Sequence, residues 1–469
     1  MLFSRFTRRT LALTAFCATA LLNAQGKLSS AKPFEDGDTV CFVGDSITHG
    51  GTYHSIVTLY YATRFPEKNI RYYNCGISGD RASTIMSDEK FRVNVDILGR
   101  KANVATIMLG MNDVGRGDYA ADKTGDEVEA KRKASMDAYG ENMTKLVNTL
   151  RTSGARLIFI TPSIYEENMK LDLPNTAELM QGVNGALAQC AAKVRNMASD
   201  YRAGIVDFHQ AMNAINERER KGTDNFTIVG ADRVHPGPVG HFTMAYTFLK
   251  SQGLPRDVSR IKLDGKKAKL KEASRARVEK LRRKDGVIEF DLTEDSLPLV
   301  VPENAQAALK LVPFTAELNQ EVVMVLSLDE GQYSLKIDGT EVGEFSAADF
   351  NAGVNISTNE KTPQYKQSAI ATEINTKRQK AGARMRDLVA QKYGMSRAGI
   401  DVSNAEAVTA ELNKRIEAAK ATNETAAKRM EAVLKDIQEG VLEKQYEDLA
   451  AELAKAAKPS KHHYAIAKK

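Results

Sequence analysis

One serine and one histidine stand out because each lies in a short segment suited to nucleophilic chemistry. Ser46 follows the apolar run Thr39–Val43, from which a glycine and an aspartate separate it. His235 follows Asp232 by three residues, so the carboxylate can fold back onto one imidazole nitrogen. A serine hydroxyl is a poor nucleophile near neutral pH and needs a base that a carboxylate orients. Ser46, His235 and Asp232 are therefore a candidate catalytic triad for acyl transfer.

Each of these motifs also has a purely structural interpretation. A Gly-Asp-Ser turn after a strand is equally typical of a helix cap. The rival base is His241, but it falls inside the next predicted helix and no acidic residue lies three positions before it. The sequence contains neither the Gly-x-Ser-x-Gly elbow of α/β-hydrolases nor a His-Glu-x-x-His zinc motif.

Two further turns supply the hydrogen-bond donors that acyl transfer needs. An oxyanion hole stabilises the tetrahedral intermediate, and losing one donor costs about 10²–10³ in rate. Gly79 follows the second predicted strand and can present its backbone N–H with no side chain in the way. Asn112 follows the third strand and can present its side-chain amide. With the N–H of Ser46, these groups form a candidate oxyanion hole, the alternative being a loop glycine and a turn asparagine.

Four residues near these turns are candidates for the substrate pocket. His49, Tyr53 and His54 follow the nucleophile turn and could face the acyl or alcohol group. The alternative is that they form the polar edge of the first helix. Arg81 lies close to Gly79 and could bind an anionic substrate group, although pairing with a carboxylate is the commoner arrangement for such a side chain.

These turns need a scaffold that brings them together, and the pattern of residues 36–252 predicts one. Short apolar runs alternate there with longer amphipathic segments, which is typical of a parallel sheet covered by helices on both faces. Ligands bind at the carboxyl ends of the strands in such sheets. We therefore predict a three-layer α/β fold with about five parallel strands, namely Thr39–Val43, Ile70–Asn74, Val104–Leu109, Arg156–Ile160 and Gly204–Phe208.

The order Ser46, Gly79, Asn112 and His235 resembles the SGNH hydrolases, also called the GDSL esterases and lipases. The resemblance covers residues 36–252, roughly half of the chain, and rests on the segments 44–48, 110–113 and 232–236. It implies a flavodoxin-like fold and ester hydrolysis through an acyl-enzyme, with Asp232 completing the triad and with neither metal nor cofactor. Isoleucine and threonine follow Ser46 where the family name has a leucine, which is a common variation.

The substrate class is less sharply indicated. An exported SGNH enzyme with accessory modules resembles the carbohydrate O-acetyl esterases, so the expected substrate is a small-molecule or polysaccharide ester. The alternative enzyme class is a lysophospholipase or thioesterase. A non-catalytic binding or scaffold protein is a further alternative, which the presence of Ser46, Asp232 and His235 disfavours.

The N-terminus has the features of an export signal. Three arginines precede the apolar run Leu11–Leu22, and small residues follow it. The run is shorter than the roughly 20 residues of a membrane span. We predict a signal peptide over residues 1–24, a periplasmic or extracellular location and no stable membrane span, with an uncleaved anchor as the alternative.

Three cysteines follow this segment. Cys41, Cys75 and Cys190 each lie in an apolar context, and no Cys-x-x-Cys pair is present. Buried free thiols are the expected state. A disulfide between Cys41 and Cys75 is the alternative in an oxidising compartment.

The character of the chain changes after residue 255. We predict a hydrolase domain over 25–255, a charged connector with a small β-rich module over 256–355, and a helical region with a basic tail over 356–469. Within these, Lys262–Lys284 predicts a charged helical connector, and Asp338 with Gly339 predicts a hairpin turn. The helical region either packs back onto the protein or contacts a protein partner. Residues from Pro459 onward are expected to be a disordered end.

The charge balance argues against nucleic acid as a partner. The 66 basic and 60 acidic residues leave a net charge of only +6 over 469 residues. The basic clusters, at 266–284 and from 455 onward, contain almost no aromatic residues on which bases could stack. We therefore predict no nucleic-acid binding.

Overall fold

The computed structural model of the chain describes residues 29–169, 177–222 and 226–469. Its first part contains a single parallel sheet, whose strands are β1 (Ser29–Ser30), β2 (Thr39–Gly44), β3 (Arg71–Gly76), β4 (Val104–Met108), β5 (Arg156–Ile160) and β6 (Gly204–Val206). The strands are ordered β1-β6-β5-β4-β2-β3. The predicted α/β fold is confirmed, and a sixth strand is present because the short β1 pairs with β6.

Helices cover both faces of this sheet. They are α1 (Ser46–His49), α2 (Thr52–Arg64), α3 (Ala82–Ser87), α4 (Asp126–Thr152), α5 (Val183–Asp200), α6 (Phe208–Arg220) and α7 (Pro238–Ser251). One core cluster joins α2 and α7 to the sheet through residues such as Val57 and Phe248. A second cluster joins α4 and α5 to the sheet through residues such as Leu146 and Leu187. The continuous apolar runs predicted as strands are therefore buried from both sides.

The second part of the chain forms two further sheets. Its elements are β7 (Asp257–Asp264), β8 (Lys269–Ser274), β9 (Ala276–Lys284), β10 (Val287–Glu294), α8 (Phe314–Leu318), β11 (Gln320–Leu326), β12 (Gln332–Ile337), β13 (Thr340–Ser346), α9 (Ala347–Ala352), β14 (Val354–Asn355) and β15 (Lys461–Lys468). The orders are β13-β12-β15-β10-β9 and β14-β11-β7-β8. Both central turn residues between β12 and β13, Asp338 and Gly339, have positive φ, as the predicted hairpin requires.

The predicted helical connector over Lys262–Lys284 is wrong, because this segment forms the last three residues of β7 and all of β8 and β9. Ile261 and Leu263 alternate as in a strand and are buried. Val278 and Leu281 pack against the same core although they are three residues apart, because the pairing of β9 with β10 shifts register between them, where Lys280 has a positive φ. The lysines and arginines between them lie on the solvent side of antiparallel strands. A sheet that is wetted on one face accommodates such charges without helix formation.

The C-terminal tail is not a disordered end either. Strand β15 lies between β10 and β12 and pairs with both in antiparallel register. Tyr464 and Ile466 are completely buried, whereas Lys461 and His463 are exposed. The pairing partners of this strand lie more than 100 residues earlier in the chain, so no local pattern identifies them.

The region between β14 and β15 is helical, as predicted. It contains α10 (Pro363–Arg397), α11 (Ala405–Lys420), α12 (Glu424–Glu439) and α13 (Leu442–Ala456). Asn375 on α10 donates a hydrogen bond of 3.1 Å to the Ser55 carbonyl, and Tyr446 on α13 donates one of 3.1 Å to the Tyr72 carbonyl. These helices therefore pack back onto the α/β part. Contact with a protein partner stays a prediction.

Two sequence predictions concern export. Cys41, Cys75 and Cys190 are buried free thiols, so the disulfide alternative is wrong. The predicted signal peptide, residues 1–24, lies outside the residues that the structure describes. Within the described residues, no helix combines the length and the apolarity needed to cross a membrane.

A buried pair of carboxyls lies where β10, β11 and α10 meet. Glu294 and Glu321 are 4% and 1% exposed. Glu294 accepts a hydrogen bond of 2.7 Å from Gln364, whereas neither oxygen of Glu321 has a partner among the described residues. Burial raises the pKa of both carboxyls, and the charge of Glu294 raises the pKa of Glu321 further, against a smaller opposing effect of Arg64.

We predict that Glu321→Gln stabilises the protein at pH 8 but not at pH 4. The folded-state pKa lies above the unfolded value of about 4.3, so the native protein loses stability as the pH rises from that value through the folded pKa. A neutral amide removes this loss and should gain about 1–2 kcal/mol at pH 8, since one pKa unit corresponds to about 1.4 kcal/mol. Thermal unfolding of both proteins between pH 4 and 8 measures the effect. A difference in Tm that does not grow with pH would contradict it.

Candidate active site

The nucleophile turn joins β2 to α1 and leaves Ser46 partly exposed at the carboxyl end of the sheet. Asp45 caps α1, because its carboxylate accepts a hydrogen bond of 3.0 Å from the Ile47 N–H. Gly44 is required by space: a Cβ atom there would lie 2.3 Å from Oγ1 of Thr48. The cap interpretation and the nucleophile interpretation of this motif are therefore compatible, since the aspartate caps and the serine faces outward.

His235 lies directly opposite this serine. Oγ of Ser46 is 2.7 Å from Nε2 of His235, and Nδ1 of His235 is 2.5 Å from Oδ2 of Asp232. The other oxygen of Asp232 accepts the backbone N–H groups of Val234 and His235 at 3.0 and 2.9 Å. Burial alone would raise the pKa of Asp232, but the hydrogen bonds and charge of His235 outweigh it and hold this pKa below its usual value. An anionic Asp232 accepts the Nδ1–H, which leaves Nε2 as the acceptor that faces the serine.

The turn that carries His235 is held by Arg233. This residue has a φ of 64°, which is uncommon for a non-glycine residue. Its guanidinium is buried and donates hydrogen bonds of 3.0 Å to the carbonyls of Ala177, Glu166 and Met169. No local sequence pattern predicts these buried hydrogen bonds of Arg233.

The rival base His241 does not reach the serine. It lies on α7, and its ring is 6.5 Å from that of Tyr53, centroid to centroid. Burial lowers the pKa of His241 to about 4, so its imidazole is neutral. The structure therefore brings His235, rather than His241, to Ser46.

The two predicted donor turns lie side by side. Gly79 has a φ of 83°, and a Cβ there would meet nothing within 4 Å, so the backbone conformation rather than space favours glycine. One N–H of the Asn112 amide donates to the Asp80 carbonyl at 3.0 Å, which links the two turns. The amide has a second N–H, and no described residue accepts a hydrogen bond from it. The role of these groups in an oxyanion hole stays a prediction.

A cavity of about 410 Å³ opens beside Asn112. Its lining is mainly polar and small: Arg81, Asn112, Gly115, Arg116, Gly117, Asp118, Ser135 and Met180. Arg116 donates to the Met111 carbonyl at 3.0 Å, and burial lowers its pKa. Arg81 is exposed and pairs with no carboxylate among the described residues, so the expected ion pair is not observed. Of the four predicted pocket residues, Arg81 lies at this cavity.

Tyr53 and His54 lie elsewhere, in the core beneath α1. Tyr53 is completely buried, and its hydroxyl is 3.2 Å from Oγ1 of Thr48. The ring of His54 stacks on Phe42 at 4.6 Å, and burial lowers its pKa to about 3. The prediction that these two side chains line the pocket is therefore wrong, because packing on the sheet withdraws them from the surface.

His49 connects the nucleophile turn to two other segments. Its Nδ1 accepts a hydrogen bond of 3.1 Å from the Ser78 N–H, next to Gly79. Its Nε2 lies 3.4 Å from a carboxylate oxygen of Asp387, on α10. The side chain is only 10% exposed, so His49 supports the site from behind and does not line the cavity.

Comparison with known proteins identifies the family of the α/β part. Residues 42–241 match the GDSL-like lipase/acylhydrolase family. An acetylxylan esterase from Geobacillus stearothermophilus is 27% identical over 232 residues, which cover 46% of this chain and 94% of the esterase. A crystal structure of that kind of enzyme from the same organism, Axe2, covers 47% of this chain and 96% of its own, at 27% identity and a TM-score of 0.37.

A second solved structure matches much more of the chain. It is that of a gut microbial diltiazem-metabolizing enzyme, 26% identical, with a TM-score of 0.81. The match covers 94% of this chain and 100% of the other, so it includes the β sheets and the C-terminal helices. The segment matched to the family includes Ser46, Gly79, Asn112, Asp232 and His235. Through residues 42–241 the chain belongs to the GDSL-like lipase/acylhydrolase family, that of the SGNH hydrolases, and is an ester-hydrolysing enzyme.

Proposed function

We propose that this enzyme removes O-acetyl groups from carbohydrates, with Ser46 as nucleophile, His235 as general base and Asp232 as the orienting acid. The observation that carries the proposal is the unbroken hydrogen-bonded series from Asp232 through His235 to Ser46, with distances of 2.5 and 2.7 Å. Such a series is what a serine needs to attack a carbonyl at neutral pH.

The reaction has two acyl-transfer steps. Oγ of Ser46 attacks the ester carbonyl carbon while Nε2 of His235 takes its proton, and Asp232 stabilises the imidazolium. The backbone N–H groups of Ser46 and Gly79 and the amide of Asn112 stabilise the oxyanion. Collapse of the intermediate breaks the bond to the alcohol oxygen, which receives the proton from His235. Water then attacks the acyl-enzyme with His235 again as base, which releases acetate and restores Ser46.

Two observations favour a short acyl group on a polar alcohol. The cavity beside Asn112 is lined by charged and small residues, and it lacks the apolar walls that a fatty acyl chain requires. One relative is an acetylxylan esterase, an enzyme that by its name acts on an acetylated carbohydrate. A lysophospholipase is less compatible with this lining.

We also infer that the enzyme is exported to the periplasm or beyond the cell. The arginines at positions 5, 8 and 9 and the apolar run Leu11–Leu22 support export. An exported location would place the enzyme where acetylated polysaccharides occur.

The triad assignment predicts the effect of three substitutions on hydrolysis of p-nitrophenyl acetate. Ser46→Ala and Asp232→Asn should each lower kcat by about 10⁴ or more, because one removes the nucleophile and the other disturbs the imidazole tautomer. The matched control is His241→Gln, which should keep kcat within about threefold, as expected for a histidine outside the triad. A Ser46→Ala protein as active as the wild type would refute the esterase assignment.

Substrate preference is tested by comparing acetate release from acetylated xylo-oligosaccharides with fatty-acid release from lysophosphatidylcholine. The proposal predicts a kcat/KM about 10² or more higher for the acetylated sugar, since such ratios report differential binding in the transition state. Preference for the lysolipid would overturn the carbohydrate assignment and leave the triad intact.

Arg81→Gln tests whether the cavity beside Asn112 is the alcohol subsite. Loss of one charge-assisted hydrogen bond, worth about 1.5 kcal/mol, should raise KM for the acetylated oligosaccharide about tenfold. Arg71→Gln is the control, because this exposed arginine begins β3 at the opposite edge of the sheet. Equal KM values in both variants would place the alcohol elsewhere.

A further inference from the structure

The long helix α10 extends from the β sheets to the turn that carries Gly79. Arg386 on this helix is only 2% exposed. Its Nε donates a hydrogen bond of 2.5 Å to the Gly76 carbonyl, three residues before Gly79. Its two Nη atoms donate hydrogen bonds of 2.6 Å to the two carboxylate oxygens of Asp96. A residue outside the family segment 42–241 therefore makes buried, charge-assisted contacts beneath the donor turn.

Arg92 extends this set of contacts to both sides of the turn. It is completely buried and donates to Asp96 at 2.6 Å and to the carboxylate of Asp80 at 2.9 Å. It also donates to the Cys75 carbonyl at 2.5 Å. Burial alone would raise the pKa of Asp96, but Arg386 and Arg92 outweigh it and hold this pKa below its usual value. The two arginines and two aspartates thus form a charge-balanced cluster. It fixes the backbone carbonyls of Cys75 and Gly76, which precede Gly79, and the side chain of Asp80, which follows it.

The opposite side of the turn meets the nucleophile turn and Asn112. A Cβ atom on Gly76 would lie 2.4 Å from the backbone nitrogen of His49, so the two backbones are in direct contact. The Asp80 carbonyl accepts the Asn112 amide at 3.0 Å. The cluster beneath the turn therefore sets the position of Gly79 relative to both neighbouring donors.

A second contact from α10 reaches the same turn. Asp387 lies 3.4 Å from Nε2 of His49, whose Nδ1 accepts the Ser78 N–H. Arg386 and Asp387 are adjacent in the sequence. Arg386 contacts the turn directly at the Gly76 carbonyl, whereas Asp387 contacts it through the side chain of His49, which accepts a hydrogen bond from Ser78. Neither residue contacts Ser46, His235 or Asp232 in the described parts of the chain.

We propose that α10 positions the oxyanion hole, with Arg386 as the main positioning residue and Asp387 as a second. The inference rests on the proposed function, since it assigns this helix a role at the same site. Oxyanion stabilisation depends on donors that are already in place, and a displacement of about 1 Å can cost about 10² in rate. The C-terminal region thus completes an active site whose reacting groups all belong to the α/β part.

The test measures kcat, KM and the pH profile of the full-length Arg386→Met protein with p-nitrophenyl acetate. We expect kcat to fall by about 10–10², KM to stay within about threefold and the shape of the kcat–pH profile to stay unchanged, because the donors move while the triad does not. The matched control is Arg384→Gln. Arg384 lies on the same helix and pairs with the buried Asp436 of α12 at 2.9 Å, away from the turn. Its kcat should stay within about twofold of the wild type.

Arg386→Lys guards against a folding defect, because it keeps a positive charge beside Asp96 and loses only the forked contacts. It should lower kcat about tenfold at an unchanged KM. If neither Arg386 variant folds, Asp387→Ala carries the test, since that carboxylate is 26% exposed. The variant loses the weak contact with His49 and an ion pair of 2.6 Å with the exposed Arg429. We expect kcat to fall threefold or more, roughly the loss of the contact with His49.

A folded variant at Arg386, or Asp387→Ala in its place, with wild-type kcat would overturn the inference. An equal loss in Arg384→Gln would overturn it too, because the effect would then belong to helix stability. Ser46→Ala is measured in parallel. If it is inactive while the α10 variants match the wild type, only the positioning role fails, whereas an active Ser46→Ala would mean that the proposed function itself fails.

Discussion

The hydrogen bond between Asp232 and Nδ1 of His235 is the interaction on which the site depends. It determines which imidazole nitrogen carries the proton, and therefore which one faces Ser46 at 2.7 Å. The short turn that makes this bond possible places Arg233 in a left-handed conformation. Buried contacts of its guanidinium compensate for that backbone strain. The carbonyls of Glu166, Met169 and Ala177, which accept these hydrogen bonds, thereby help to hold one imidazole.

The parallel sheet solves the second problem, which is to bring groups from distant segments to one place. The turns with Ser46, Gly79 and Asn112 each follow a strand, so the carboxyl edge of the sheet gathers them. The sheet alone leaves the Gly79 turn supported on one side. Buried charges from Arg92 and Asp96, together with Arg386 from the far end of the chain, support the other side. The extra C-terminal region is in this sense part of the active site's scaffold.

Features that local patterns encode could be predicted from the sequence. Continuous apolar runs identify the strands of the parallel sheet, and the spacing of Asp232 and His235 predicts their contact. Features that depend on distant partners, or on the face of a sheet that a charge occupies, could not be predicted. The lysine-rich β8 and β9 looked helical because solvent-facing charges mask a strand pattern, and β15 looked disordered because its partners are far away in the chain. The role of Arg386 could not be predicted from the sequence around it, because that role depends on contacts with Gly76 and Asp96, which lie far away in the chain.

We infer that Ser46 carries the acyl group between the two steps of the reaction. This can be measured by mass spectrometry of peptides from enzyme that is quenched with acid during turnover of p-nitrophenyl acetate. We expect one acetyl group on the peptide that contains Ser46, which disappears when the substrate is exhausted and never forms in Ser46→Ala. An acetyl group on another residue during turnover would contradict this role of Ser46, as would a stable acetyl group that water does not remove.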